Sequence, residues 1–499
     1  MRSRRCLMMR YSDAVADTLV NLGFTHCFFV PGGNILHILD SARDRFECVP
    51  FVHEHSCVVA GEYFNHSHSP GKAFSLVTAG PGLTNAVTGI AGAWLESRFI
   101  LVIGGQATSD KLSYASGKRQ TGIQEAPGRG IVHEIVKDSV LLDQQISMEE
   151  LVGVIDNGSN GRPGPVFIEF CLDIQGSPAE YAASNPKLTE KTVKPSGDEV
   201  TAIVGSIQKA VRPVFLLGGG IRRKLDDYTL QRLDSLPIPV MTTWNAADKY
   251  GSERVNFCGR PNTWGQRHAN ISIQEADLVI GFGTGLGYQQ TGFNRSEFVR
   301  NGNVIQIDID PTQHARDMNN FQLGVCADAA ETLKRVLDEI EVSTAWNHWL
   351  ARCLRTREDY PAVEAQQVKA GFSPVQKILN ELSKNFKEGS NFTPSSSGGA
   401  FTASMQSMEF KNESFTVLSN KGLASMGYGL AGAIGMALTS KGTPTYLVEG
   451  DGGFAQNIQE LGTVSKQGLD LKIFVLENDG YASIRTTQQN YSNGNYMGC

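Results

Sequence analysis

The chain has 499 residues, and at about 150 residues per domain that length predicts about three domains and excludes a single small module. Composition is 41% hydrophobic and 19% charged with 53 glycines, too apolar for a disordered chain and without the periodicity of a fibre. Lys plus Arg number 45 against 51 for Asp plus Glu, a net charge of -6 with no long basic stripe, so nucleic acid is not an expected partner.

No apolar run reaches the length of about eighteen residues that a membrane span needs, and mean hydropathy is -0.20, so no membrane helix is expected. The nine cysteines are odd in number and form no CxxC pair, which reads as reduced thiols of a cytoplasmic enzyme and argues against a zinc site. The opening MRSRRCLMMR carries four arginines and no acid but lacks the apolar core of an export signal. It reads as a disordered extension, with Met8 or Met9 as an alternative start.

From Tyr11 helical and strand patterns alternate. Helix-like YSDAVADTLVNLG leads to strand-like CFFV and the turn PGGN. Strand-like CVPFV, a helix through HSCVVAGEYF, strand AFSLVT, turn AGPG, helix LTNAVTGIAGAWLES and strand FILVIGG follow. Such alternation predicts a parallel sheet covered on both faces, ending after GRPGPVFIEF near residue 180. The polar stretch GSPAEYAASNPKLTEKTVKPSGDE reads as a linker to a second block, built from VFLLGGG (214–220), IPVMTTW (238–244), DLVIGFGTG (277–285) and NVIQIDIDP (303–311). A third block begins near residue 372, after the charged helical segment AWNHWLARCLRTREDY. The expected fold class is therefore α/β, three consecutive parallel-sheet domains at 9–180, 195–345 and 372–499.

The third block carries the most specific chemistry. Strand-like TYLVEG runs into Gly450-Asp451-Gly452-Gly453, a helix is predicted over FAQNIQELGTVSKQG, and strand LKIFVLE ends at Asn478-Asp479-Gly480. In one βαβ unit the strands are parallel, so Asp451 and Asn478 fall side by side on the carboxyl edge, where such sheets bind ligands. A carboxylate, an amide oxygen and a backbone carbonyl are the hard oxygen donors that Mg²⁺ takes when it also holds a diphosphate. Asp451, the Asn478 side chain and the Gly480 carbonyl form that candidate set, with Gly450, Gly452 and Gly453 letting the backbone approach a phosphate.

With an asparagine 27 residues after the aspartate of GDG, the block resembles the thiamine-diphosphate-dependent enzymes. The wider text is similar to their acetolactate synthase branch. The motifs are VPGG (30–33), HE (53–54), TAGPGLTNAVTGIAGAWLES (78–97), IGGQ (103–106), IQEA (123–126), GRPGPVFIE (161–169), LASMGYGLAGAIG (423–435) and GDGGFAQNIQEL (450–461). They come in the expected order over nearly the whole chain.

The resemblance implies pyrimidine-binding, central and diphosphate-binding domains in this order, with thiamine diphosphate and Mg²⁺ as cofactors. It implies that Glu54 hydrogen-bonds the aminopyrimidine ring, that Gly33 lines the reaction centre and that Gln106 and Gln124 line the substrate side. Met426 would press on the cofactor from below, and Gly398, Gly399 and Tyr481 would line it. The implied activity is a carboligase that decarboxylates pyruvate, a 2-keto acid, and transfers the two-carbon unit to an acceptor carbonyl. A simple 2-keto acid decarboxylase, a flavin-linked oxidase or an inactive cofactor-binding paralogue or fragment stay open as alternatives. The family shares its cofactor between subunits, which implies a homodimer or homotetramer.

Three places depart from the family. Ser483 and Thr487 stand where the synthases carry a methionine and a tryptophan, which leaves the acceptor open. SSSGGAFTASMQ (395–406) and WGQRHANISIQEADLVIGFG (264–283) look more like synthase-like enzymes of surface-polysaccharide and branched-sugar pathways, whose acceptors include keto sugars. Arg485 is then a candidate for holding an anionic acceptor, or an exposed helix residue. FAD is left open by the glycine-rich turns at 218–220 and 281–287, neither of which is GxGxxG. Lys137 matches a family lysine or is a solvated charge. The family continues for several tens of residues past its asparagine, so the last domain is expected to be incomplete.

Overall fold

The computed structural model describes residues 9–498 except 68–70, 115, 184–191, 223, 366–367, 369 and 440–441. The expected N-terminal extension up to Met8, and eight residues of the expected linker, lie outside the described residues.

The first block is a six-stranded parallel sheet. Its strands are β1 (Phe24–Phe29), β2 (Glu47–Pro50), β3 (Lys72–Val77), β4 (Leu101–Gln106), β5 (Asp138–Leu142) and β6 (Val166–Cys171), in the order β2-β1-β3-β4-β6-β5. Every residue of β4 and β6 is buried, because helices cover both faces, and the two polar side chains there, Gln106 and Glu169, pair with each other. Alternation sorts the side chains: Leu101 and Ile103 join Leu19, Leu151 and Ile155 on one face, while Ile100 and Val102 join Val58, Ile90 and Phe167 on the other.

The second block is a five-stranded parallel sheet of β7 (Pro213–Leu217), β8 (Val240–Thr242), β9 (Leu278–Phe282), β10 (Asn303–Asp308) and β11 (Phe321–Cys326), ordered β11-β10-β9-β7-β8. The edge strand β11 is only partly buried, and its mixed sequence FQLGVC gives no clear alternation to read. Two short strands, β12 (Asn391–Thr393) and β13 (Thr416–Val417), pair in parallel further on. In the last block β14 (Thr445–Gly450) and β15 (Leu471–Leu476) pair in parallel with Gly450 opposite Leu476.

By compactness the three blocks group into two units. Residues 1–190, 395–397 and 418–499 form one unit, and 191–394 with 398–417 form the other. The first unit joins the N-terminal block to the last one through the helices Glu54–His66 and Tyr428–Leu438, which pack closely. A Cβ on Gly435 would lie 2.2 Å from the Ala60 carbonyl oxygen, and one on Gly432 would lie 2.6 Å from the Tyr63 ring. Beside that contact Glu62 takes a 2.9 Å ion pair from Arg98 and a hydrogen bond from the Tyr428 hydroxyl, all three deeply buried. Among the described residues no helix is long and apolar enough to cross a membrane.

Candidate active site

The β14/β15 register does what the βαβ pattern predicts. Pairing Gly450 with Leu476 brings the two strand ends together, and the Asp451 carboxylate accepts the Gly480 N–H at 3.0 Å and the Gly452 N–H at 2.9 Å. The side-chain oxygen of Asn478 is buried and has no hydrogen-bond partner among the described residues. A buried amide oxygen left bare costs about 1–3 kcal/mol, so this atom is open to a further donor or cation. Among the described residues the Gly480 carbonyl accepts the Ala482 N–H, at 3.0 Å, and keeps a lone pair. Gly480 sits at φ 109°, which a side chain would strain.

Arg485, expected either to hold an anion or to be an exposed helix residue, is half-buried on its helix and tied to the preceding turn. Its guanidinium donates to the carbonyl of Asp479 at 2.6 Å and to that of Asn478, bolting the turn to the helix Ala482–Tyr491. Ser483 and Thr487 are exposed on that helix, joined by a hydrogen bond from the Thr487 hydroxyl to the Ser483 carbonyl at 3.1 Å.

The glycines after Asp451 make room for protein side chains. A Cβ on Gly452 would lie 2.2 Å from the Tyr481 ring, and one on Gly453 would lie 2.5 Å from the Glu449 carboxyl. Glu449 is buried, which raises its pKa to about 7 against the hydrogen bond it accepts from Ser395. Met426 is half-buried, and its sulfur receives the Gln456 amide at 3.7 Å. Gly398 and Gly399 open the helix Gly398–Ser407 in the other unit, with Gly398 at φ 74°.

Glu54 begins the helix Glu54–His66 directly after β2 and its short turn. Its side chain is 8% exposed, far from a solvated surface acid, and Asn85 donates to its Oε2 at 3.0 Å. Gly82 stands beside Oε1, where a Cβ would approach to 3.4 Å. Gly33 has no atom within 4 Å of its missing Cβ, so the turn after β1 faces open space.

The two glutamines part company. Gln106 is buried, and its amide nitrogen donates to Glu169 at 2.6 Å, to the Ala126 carbonyl at 2.8 Å and to the Tyr114 hydroxyl at 2.9 Å. That network uses up its donors and makes it a brace for the loop that follows. Gln124 is exposed on that loop at φ 58°, and its carbonyl lies 2.6 Å from where a Cβ on Gly80 would be. Lys137 is no solvated charge, since its ammonium donates to the carbonyls of Arg162, at 2.9 Å, and Asn160.

Three family patterns match the chain along its length. Residues 9–131 match the thiamine pyrophosphate enzyme N-terminal TPP binding domain, 200–336 the central domain and 397–499 the C-terminal TPP binding domain. The acetolactate synthase large subunit of Cyanidium caldarium is 28% identical over 97% of this chain and 83% of its own length. That of Pyropia yezoensis is 29% identical over 97% and 82%. The large subunit of acetolactate synthase isozyme 2 of Escherichia coli (strain K12) is 26% identical over 96% and 85%. The chain belongs to the thiamine-pyrophosphate-dependent, acetolactate synthase-like enzymes.

In this thiamine pyrophosphate enzyme the predicted helix over FAQNIQELGTVSKQG is broken into three pieces: Asp451–Ala455, a 3-10 turn at Ile458–Glu460, and Leu461–Gln467. The break falls at Asn457, with φ -133°, and turns two buried polar side chains toward the N-terminal block. Asn457 donates to the Gly427 carbonyl at 2.6 Å and to His55 Nδ1 at 3.0 Å. Burial lowers the His55 pKa to about 4, with His53 adding to the effect, so the ring is neutral and accepts at Nδ1. Glu460 accepts the Val52 and His53 N–H groups at 3.2 and 3.0 Å, fixing the turn that presents Glu54.

Sequence reasoning missed Asn85, Asn457 and Glu460. The one signal available was polar residues at helix positions whose neighbours are apolar. The donor set of Asp451, Asn478 and Gly480 fits a hard cation beside a diphosphate, because all are oxygens and one is orphaned. The glycine turns of the central block have a different cause. A Cβ on Gly218 would lie 2.2 Å from the Gly283 carbonyl oxygen, and Gly220 donates to that oxygen at 2.9 Å, so these glycines let two turns pack backbone to backbone.

Proposed function

We propose that this chain is a thiamine-diphosphate-dependent carboligase of the acetolactate synthase type, acting on pyruvate and delivering the two-carbon unit to an acceptor carbonyl. The observation that carries the proposal is the orphaned Asn478 oxygen beside Asp451, in a chain whose relatives are acetolactate synthases. When bound, thiamine diphosphate supplies an acidic ring carbon that adds to a keto group and takes up the electron pair released with carbon dioxide.

The chain's own residues do the rest. Asp451, Asn478 and the Gly480 carbonyl hold Mg²⁺, and Gly450, Gly452 and Gly453 with Tyr481 shape the wall at the diphosphate. Glu54, with Oε2 held by Asn85, exchanges a proton with the pyrimidine ring through the free Oε1. Met426 supports the cofactor, and Gly33 and Gln124 line the substrate side while Gln106 braces the loop. The domains run over 9–180, 195–345 and 372–499, the protein assembles as a homodimer or homotetramer, and it works in the cytoplasm.

The test is a pyruvate assay on purified protein with and without thiamine diphosphate and Mg²⁺, with carbon dioxide and products read by mass spectrometry. Cofactor-dependent release with a coupled product is expected. Glu54→Gln should cut turnover about a hundredfold or more while leaving cofactor binding in place. An aldehyde as sole product would make the enzyme a simple decarboxylase, and release indifferent to the cofactor would end the proposal.

A further inference from the structure

The loop between β4 and β5 borders a cleft of about 540 Å³ in the first unit, within the usual range for a small-molecule site. Lys118, Arg119 and Arg129 all line it. None of the three forms an ion pair among the described residues, although all are exposed and free to recruit one. The carboxylate that also lines the cleft, Glu169, makes its hydrogen bonds elsewhere. Its Oε1 accepts from Gln106, the Tyr114 hydroxyl and the Gly128 N–H at 2.6, 2.9 and 2.9 Å, and its Oε2 from the Arg129 N–H at 3.1 Å.

A second acid, Glu125, is likewise occupied in shaping the loop. Burial would raise its pKa, but the Ser113 N–H and hydroxyl and the Thr121 and Gly122 N–H groups hold it down at about 2. It is thus an ionised anchor that closes the loop on itself between residues 113 and 125 and presents Lys118 and Arg119 outward. Three cations gathered on one cleft repel one another, and an anion placed among them removes that cost. Apolar surface stands beside them: Tyr114, an exposed residue, Pro127 and Leu141 also line the cleft.

We infer that this cleft binds an organic phosphate, its phosphate held by Lys118, Arg119 and Arg129 and its sugar or base lying on Tyr114 and Leu141. Arginine suits the task because its planar fork pairs with two phosphate oxygens. The site is distinct from the Asp451 edge and stands whether or not the carboligase reading does.

The experiment titrates the full chain, saturated with thiamine diphosphate and Mg²⁺ so that the cofactor's own site is filled, by calorimetry. The probes are glucose 1-phosphate, UDP and inorganic phosphate. The sugar phosphate or the nucleotide is expected to bind about tenfold or more tightly than inorganic phosphate, and less tightly in high salt. Which of the two binds better tells a sugar ligand from a nucleotide one. K118A/R119A should weaken binding about tenfold or more, and Arg129→Gln should do so separately, while cofactor-dependent carbon dioxide release stays at its starting rate. The first two are exposed loop residues, so an unchanged thermal midpoint certifies the fold. No binding of either organic phosphate at millimolar concentration, or equal affinity in both variants, would overturn the inference. If thiamine diphosphate itself does not bind, the carboligase reading fails, and the contrast between parent and K118A/R119A still decides this one.

Discussion

Glu460 is wholly buried, and its carboxylate accepts two backbone N–H groups of the turn before Glu54 and the Thr463 hydroxyl at 2.7 Å. Glu460→Ala would take their acceptor from the Val52 and His53 N–H groups and free the turn to move. The expected outcome is a fall in kcat of about tenfold with KM for pyruvate little changed. Glu460→Gln, whose amide oxygen can take the same two N–H groups, should restore most of it. A purely structural role would lower the yield of folded enzyme and leave kcat per folded molecule alone. The sequence displayed Asp451 and Asn478 because GDG and the later asparagine stand in fixed spacing along neighbouring strands. Glu460 lies inside the same motif, yet its task depends on a partner some four hundred residues away, which no spacing encodes.

At the scale of elements, strand-to-helix alternation was readable because buried parallel strands are short apolar runs between amphipathic helices. What it could not show was how near two helices come. Gly435 lies against Ala60, so Gly435→Ala pushes a methyl to 2.2 Å from a backbone oxygen that cannot rotate away. The change should cost about 1–3 kcal/mol and lower the thermal midpoint. Gly462, in the helix Leu461–Gln467, has nothing within 4 Å of its missing Cβ. Gly462→Ala should leave the midpoint unchanged or raise it slightly, since alanine is the better helix former by about 1 kcal/mol. Equal losses in the two variants would mean that helix packing is not the cause. The same distinction explains the broken helix over 454–468: its sequence favours one continuous helix, and the hydrogen bonds of Asn457 and Glu460 in the folded unit outweigh that preference.

For the whole molecule, a ligand that binds only the folded state stabilises it, by about 2.7 kcal/mol at a hundred times its Kd. Thiamine diphosphate with Mg²⁺ should therefore raise the thermal midpoint, and Asp451→Ala or Asn478→Ala should abolish the rise while leaving the ligand-free midpoint near its starting value. An equal rise in the variants would place the cofactor elsewhere. The amino-acid sequence alone determined the three α/β blocks, the parallel order within βαβ units and the oxygen donors at the β14/β15 edge. These follow from local periodicity and from residues close together in the chain. Only the tertiary structure decided that the last block packs with the first, that Gln106 is spent on Glu169 while the Asn478 oxygen is left bare, and that three cations face one cleft. Those outcomes depend on which buried polar atoms find partners across long sequence separations, and that is settled by packing rather than by pattern.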